Sequence, residues 1–327
     1  QQVILLKHTK FLEERMQENS LPFFKRFYIY QKERFPFLAH GLMITAFTFS
    51  AVSYSRICRG VEGFISTQDF LIGIFATVTL FFLVRIFDEF KDKEDDALYR
   101  KYLPVPRGLI SLKELKTIGW IVAVIQVAVI AIFQLDMLFL YGVVLAYLLL
   151  MSVEFFVPEW LKKRQILYIT SHMFIIPLID IYSSGLDWLL EGSSAHFGLL
   201  WFFSVSYMNG LVLEFGRKIR TEQNEEEGVV SYTGMYGTKG GVVIWLALLF
   251  TTLLLAIGAA NYAGYGGLSI IVFSCLFAVF SLPGFIWVFS QNRTEKMSKF
   301  IEYSSAAWTA LMYLGLGGIP MLKALLN

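Results

Sequence analysis

Nine runs of about twenty residues with almost no charge divide this chain, and they restrict what it can fold into. They lie roughly at 37–57, 68–87, 116–134, 136–153, 167–186, 196–214, 241–263, 267–290 and 303–325. The hydrocarbon core of a bilayer takes about twenty apolar residues per helical crossing. A helix satisfies all its backbone polar groups within one crossing, and a lone strand does not. The expectation is therefore an all-α, polytopic membrane protein: nine transmembrane helices in one bundle, a single integral domain over residues 1–327, with 1–36 as a polar N-terminal segment. The chain is 17% charged, where soluble domains carry about 25%. Net charge is only +2, so overall basicity points to no nucleic-acid partner, and the lipid bilayer is the partner that composition implies. The start, "QQVILLKHTKFLEERMQENS", has no signal-peptide apolar core. Cys58 and Cys275 have neither metal-ligand spacing nor the look of a disulfide framework.

Orientation follows from Lys and Arg. With a cytoplasmic N-terminus, all of the 28 basic residues except Arg56, Arg59 and Lys323 fall on the cytoplasmic side. That bias sets the expected topology of an integral membrane protein, in a cytoplasmic or inner membrane. It also predicts that the polar loops after the second and sixth runs share the cytoplasmic face, cap the bundle and meet over one cavity.

The first of these loops opens with "RIFDEFKDKEDD", six acids in nine positions directly after an apolar run. If the helix continues past Phe87, then Asp88, Asp92 and Asp96 line one face together with Asp95. Like charges at that spacing destabilise a bare helix, and a divalent cation reverses the sign. Magnesium takes oxygen ligands and commonly uses one or two carboxylates plus phosphate oxygens and water. The row therefore suits a magnesium-bridged diphosphate at a membrane surface, or else a solvated acidic cap neighboured by Arg85, Lys91 and Lys93. The next stretch, "YRKYLPVPRG", adds Arg100, Lys101 and Arg107 on a segment stiffened by Pro104 and Pro106. Arg matches phosphate oxygens bidentately and Lys acts as a point charge.

Nine spans with acidic loops after the second and sixth resemble the UbiA superfamily of intramembrane prenyltransferases. The first family motif is N-D-x-x-D-x-x-x-D; in "DEFKDKEDD", Asp88 stands at the Asn, Glu89 at the first Asp, then Asp92 and Asp96. The following family loop, R-P-L-P-S-G, is "LPVPRG" here, with Leu103 at the Arg and Arg107 at the Ser. A basic pair after the fourth run is also family-like, and "WLKKR" supplies Lys162 and Lys163. The second motif departs most: D-x-x-x-D is replaced by "EFGRKIRTE", where Glu214, Lys218 and Glu222 keep the spacing and Arg217 and Arg220 flank the Lys. "GVVSYTGMYG" resembles the G-V-x-S/T turn that follows it.

The resemblance implies a Mg2+ cofactor held by Asp88, Glu89, Asp92, Asp96, Glu214 and Glu222. It implies a diphosphate bound by Arg85, Arg100, Lys101, Arg107, Lys162, Lys163, Arg217, Lys218 and Arg220. Asp88, Asp92, Asp96, Glu214 and Lys218 are the expected catalytic set. Two readings of the second loop stay open: Lys218 and its neighbours grip the diphosphate while Glu214 and Glu222 ligate metal, or "EEE" at 225–227 belongs to a lid and the second metal site is weak or absent. The implied activity is transfer of an isoprenyl group from its diphosphate to a lipophilic, aromatic acceptor. A terpene cyclase of the same superfamily is the rival, and a non-catalytic lipid-binding protein or transporter comes third. Within the spans, Asp180, His172 and Asn209 are polar residues with either a packing or a substrate role.

Overall fold

The computed structural model describes Glu18 and residues 20–326. Among the described residues it is all helical, 79% helix with no strand. In chain order the helices are α1 (Phe23–Arg34), α2 (Phe37–Arg59), α3 (Thr67–Lys91), α4 (Lys93–Tyr99), α5 (Leu112–Phe133), α6 (Met137–Ser152), α7 (Pro158–Lys162), α8 (Gln165–Met173), α9 (Ile175–Trp188), α10 (Leu199–Arg217), α11 (Tyr232–Tyr236), α12 (Gly240–Tyr262), α13 (Gly267–Phe289), α14 (Glu295–Tyr313) and α15 (Ile319–Leu326).

Eight stretches among the described residues are long and apolar enough to cross a membrane: α2, α3, α5, α8 with α9, α10, α12, α13, and α14 through α15. The expected count of nine is not reached. The run at 136–153 forms α6, a helix of 16 residues. At 1.5 Å per residue it spans about 24 Å, short of a hydrocarbon core of about 30 Å. Elsewhere the helices outrun their apolar segments, because backbone hydrogen bonding continues where hydrophobicity stops. α3 reaches Lys91 rather than Phe87, so Asp88 and Glu89 are helical residues. The last span starts at Glu295 and not near 303.

Two interruptions have local causes. α8 and α9 break at Phe174. Pro177, three residues on, has no N–H for the Met173 carbonyl and its ring crowds that oxygen. Between α14 and α15 the chain makes a π-helical turn at Leu314–Gly318. Gly317 in that turn lies so near the Ser50 backbone that a Cβ there would stand 2.1 Å from the Ser50 carbonyl oxygen. Only glycine permits that approach.

The chain forms two compact units. The first comprises the described residues up to Leu42 and Val78–Ala128. Its interior is aromatic: Phe27, Phe35 and Phe37 surround Phe82 at ring-centroid distances of 6.3, 5.4 and 5.0 Å. The second comprises Met43–Thr77 and Val129–Asn327. There α10 packs on α9, α12 and α14, and α13 packs on α12 and α14. Buried Trp245 donates to Ser305 Oγ at 2.9 Å, which ties α12 to α14. In the same unit Arg56 and Arg59, two of the basic residues that break the charge bias, are neutralised. Arg56 meets Asp187 at 2.9 Å and Glu191 at 2.6 Å, and Arg59 meets Asp187 at 2.8 Å.

Candidate functional site

In the first unit the helical spacing of the acids is realised. Asp92 N–H donates to the Asp88 carbonyl at 2.9 Å, Asp96 N–H to that of Asp92 at 2.8 Å, and Arg100 N–H to that of Asp96 at 3.0 Å. α3 and α4 therefore run on from one another, and the three aspartates lie one turn apart. Their side chains have different fates. Asp88 and Asp92 keep 30% and 32% exposure, and Lys91 stands off from them at 3.6 and 3.9 Å. Asp96 is buried and pairs with Arg100 at 2.7 Å. Glu89 is 1% exposed and pairs with Arg34 at 2.6 Å and Arg85 at 3.3 Å. Burial raises the Asp92 carboxyl above its ordinary range; Lys91 opposes this and the negative Asp88 adds to it. Burial raises Asp96 as well, against the pull of Arg100.

The proline segment folds back under its own hydrogen bonds. Leu109 N–H donates to the Pro104 carbonyl at 2.9 Å, and Gly108 takes φ +80°, a left-handed value that suits glycine. Arg107 points to α1: it holds Glu33 through two bonds of 2.8 and 2.7 Å and meets Glu18 at 3.3 Å.

In the second unit α10 ends at Arg217, and Lys218 caps it. Glu214 is buried and bonded by both bases: Lys218 Nζ at 2.6 Å and Arg217 Nη2 at 2.5 Å. Tyr232 donates to the same carboxylate at 3.4 Å. Its ring stacks on Phe215 at 3.7 Å, and its hydroxyl is held protonated by burial and by the Glu214 charge beside it. Tyr232 N–H also bonds the Lys218 carbonyl at 3.1 Å, which pins the returning loop to the helix end. Because the helix stops, the spacing between Lys218 and Glu222 is not a helical one. Glu222 sits exposed on a separate turn, Glu222–Asn224. Arg220 pairs with Glu226 at 3.0 Å. Glu225 accepts from Ser231 and Thr233, the former capping α11, so this acid shapes the loop.

The remaining expected residues are dispersed. Lys162 and Lys163 are exposed at the end of α7, and Lys101 is exposed after α4. His172 is buried, hydrogen-bonds the Tyr168 carbonyl at 2.8 Å through Nδ1 and stacks on the Tyr168 ring at 4.1 Å. Asp180 is fully buried beside the Ser206 hydroxyl, which itself pairs with Tyr313 at 2.9 Å. Among the described residues no three His, Cys, Asp or Glu side chains are gathered into a ready metal cage. Asp88 and Asp92 fit the sparser pattern of magnesium, two carboxylates completed by phosphate and water. Glu89 and Asp96, held in short ion pairs, do not.

Arg34 and Glu33 lie outside every motif of the sequence, although they bind Glu89 and Arg107 of the first loop. A signal was present: Phe23, Phe27, Tyr30 and Arg34 recur at three- and four-residue spacing, the stripe of an amphipathic helix.

The profile of the UbiA prenyltransferase family matches residues 42–314. Two solved structures share the fold. The apo UbiA homologue from Aeropyrum pernix K1 superposes with a TM-score of 0.62 at 16% identity, covering 84% of this chain and 96% of its own. A digeranylgeranylglyceryl phosphate synthase gives 0.56 at 16% identity, covering 86% and 99%. No curated protein sequence matches the chain.

Proposed function

Since this chain belongs to the UbiA prenyltransferase family, we propose that it is a magnesium-dependent membrane enzyme that ionises an isoprenyl diphosphate and passes the prenyl group to a lipophilic, aromatic acceptor. The observation that carries the reading is the Asp88–Asp92 pair: two partly exposed carboxylates one turn apart at the end of a membrane span, with no ion pair shorter than 3.6 Å to a base among the described residues. Magnesium held there offsets the charge of the diphosphate leaving group. Asp88 and Asp92 hold the ion. Lys91 and Arg85 lie within reach of the same carboxylates and temper their repulsion. Arg100 is oriented by Asp96, and Lys101 lies beside it on the exposed surface.

The second loop supports an anion-binding role. Glu214 carries one negative charge and is bonded by two cations, so the group is positive in sum. Lys218 and Arg217 then serve as N–H donors to diphosphate oxygens, and Glu214 aims them. This favours the first reading of the loop in part: the bases grip phosphate, and Glu214 holds the bases rather than a metal. In the reaction the allylic C–O bond breaks, its electron pair leaves with the diphosphate, and the acceptor supplies the electrons of the new bond. The apolar spans keep water from the cation. The charge bias supports a cytoplasmic side for the N-terminal segment and both loops.

The test is to give purified protein prenyl diphosphates of several lengths with magnesium and no acceptor, and to weigh the products. Slow turnover to simple alcohols, made fast by an aromatic acceptor, supports transfer. Rapid acceptor-free release of a cyclic terpene replaces transfer with cyclisation. Absence of pyrophosphate release under every condition rejects both.

A further inference from the structure

α1 lies outside the family match and is built as a strap. Near its start Arg26 pairs with Glu114, in the first turn of α5, at 2.6 Å and donates to the Leu109 carbonyl at 2.8 Å. At its end Arg34 pairs with Glu89, in the last turn of α3, at 2.6 Å. After it come Phe35 and Pro36, and then the membrane span α2. Three spans therefore begin or end at the level of this helix. The two tied residues are eight positions apart, about 12 Å of helix. Pinned at both points to span ends, α1 runs along the membrane boundary and does not project from it.

The face turned away from those ties has a definite chemistry. At 100° per residue, Phe24, Tyr28, Lys32 and Lys25 fall within about 100° of the helix circumference. All four are exposed, Phe24 at 83% and Tyr28 at 62%. No acid lies in that arc; Glu33 is turned to Arg107. The helix's arginines are already paired to acids, so its outward charge is that of the two lysines. Aromatic rings with polar neighbours settle at the headgroup level, and lysines beside them are drawn to anionic lipid. We infer that the Phe24–Lys25–Tyr28–Lys32 face of α1 is a docking surface for the anionic headgroup layer of the leaflet at which α3 ends. The rings enter the acyl boundary and the ammonium groups meet lipid phosphate. Through Glu89 and Arg107 that contact reaches the loop bearing Asp88 and Asp92. The inference stands independently of the reaction proposed above.

The test uses the full chain with Cys58→Ala and Cys275→Ser, carrying single spin labels at Phe24→Cys or Tyr28→Cys. Val279→Cys, exposed on α13, is the bilayer control, and Asn292→Cys, in the connection after it, is the aqueous control. The protein is reconstituted in phosphatidylcholine vesicles with and without phosphatidylglycerol. Collision with oxygen and with a water-soluble nickel chelate is measured at each label. The expected result is that labels at 24 and 28 favour oxygen over the chelate, as the bilayer control does. The preference should strengthen with phosphatidylglycerol, and K25E/K32E should abolish that strengthening while the protein elutes as before. Labels as open to the chelate as Asn292→Cys overturn the inference. So do labels shielded from both agents, which would mean that protein covers the face, and an oxygen preference indifferent to anionic lipid and to K25E/K32E.

Discussion

The two loops repeat the same four-residue step, Asp88, Asp92 and Asp96 in the first and Glu214, Lys218 and Glu222 in the second, but their carboxylates are engaged differently. After α3, Asp88 and Asp92 are met only at a distance, by Lys91 at 3.6 and 3.9 Å and by Arg85 at 3.8 Å from Asp88, so neither carboxylate is closed in a short ion pair among the described residues. After α10, the single buried Glu214 is met by Lys218 and Arg217 at 2.6 and 2.5 Å, so positive charge is in excess. The first arrangement suits a cation and the second an anion. Spacing alone ranks the loops as equals. What separates them is whether each carboxylate is already closed in a short ion pair.

The largest effect expected from that contrast is at the open pair, Asp88 and Asp92. Asp88→Ala or Asp92→Ala should lower magnesium-dependent pyrophosphate release about a thousandfold, the scale of losing metal stabilisation of a leaving group. Either variant at full rate would break the comparison at its stronger end. Next comes Lys218→Ala, expected to cost about a hundredfold, as loss of one preorganised donor does. Lys218→Asp restores the family's acid spacing but sets a second negative charge beside Glu214, so it should be no better than the alanine. A Lys218→Asp enzyme with wild-type rate would show that the second loop is a metal site after all.

Glu89→Gln sharpens the distinction within the first loop. It leaves Arg34 and Arg85 without their buried carboxylate, and a broken buried pair costs about 3 kcal/mol. The thermal midpoint should fall while the magnesium concentration for half-maximal rate stays put. The reverse pattern would make Glu89 a ligand. The smallest effect is at Glu191, in the closed cluster with Arg56 and Arg59. Arg56 first and Arg59 after it hold this exposed carboxyl below its ordinary range. Its folded value lies under its unfolded one, so its contribution is complete above the ordinary glutamate range and fades as pH falls through the lowered value. Exposure keeps it within about 1 kcal/mol. Glu191→Gln should therefore narrow the stability difference between neutral and acid buffer slightly, and leave activity unchanged.

The sequence made the spans and the acid row legible because both are local. Apolar length reports a crossing, and the 88, 92, 96 spacing reports a helix face. It could not report which carboxylates are closed. Glu89 is matched by Arg34, 55 residues earlier, and Arg107 by Glu33, 74 residues earlier. Periodicity names a face and never its partner. The end of α10 at Arg217 was hidden for a related reason. The Lys218 carbonyl is taken by Tyr232, and a contact of that kind has no signature in the run of residues that it stops. α6 marks the limit of apolar length as a guide: its residues are apolar enough, but its 16-residue helix does not confirm a ninth span.

The contact of Gly317 with Ser50 bears on how the sequence can drift. Where two side chains touch, enlargement of one can be met by reduction of the other, and the two positions change together. Here the obstacle is a carbonyl oxygen of the main chain, which every residue at position 50 would carry. No partner substitution makes room. In a set of homologues that keep this packing, position 317 should stay glycine while position 50 varies without reference to it. A statistical search for paired changes would then overlook one of the closest approaches in the fold.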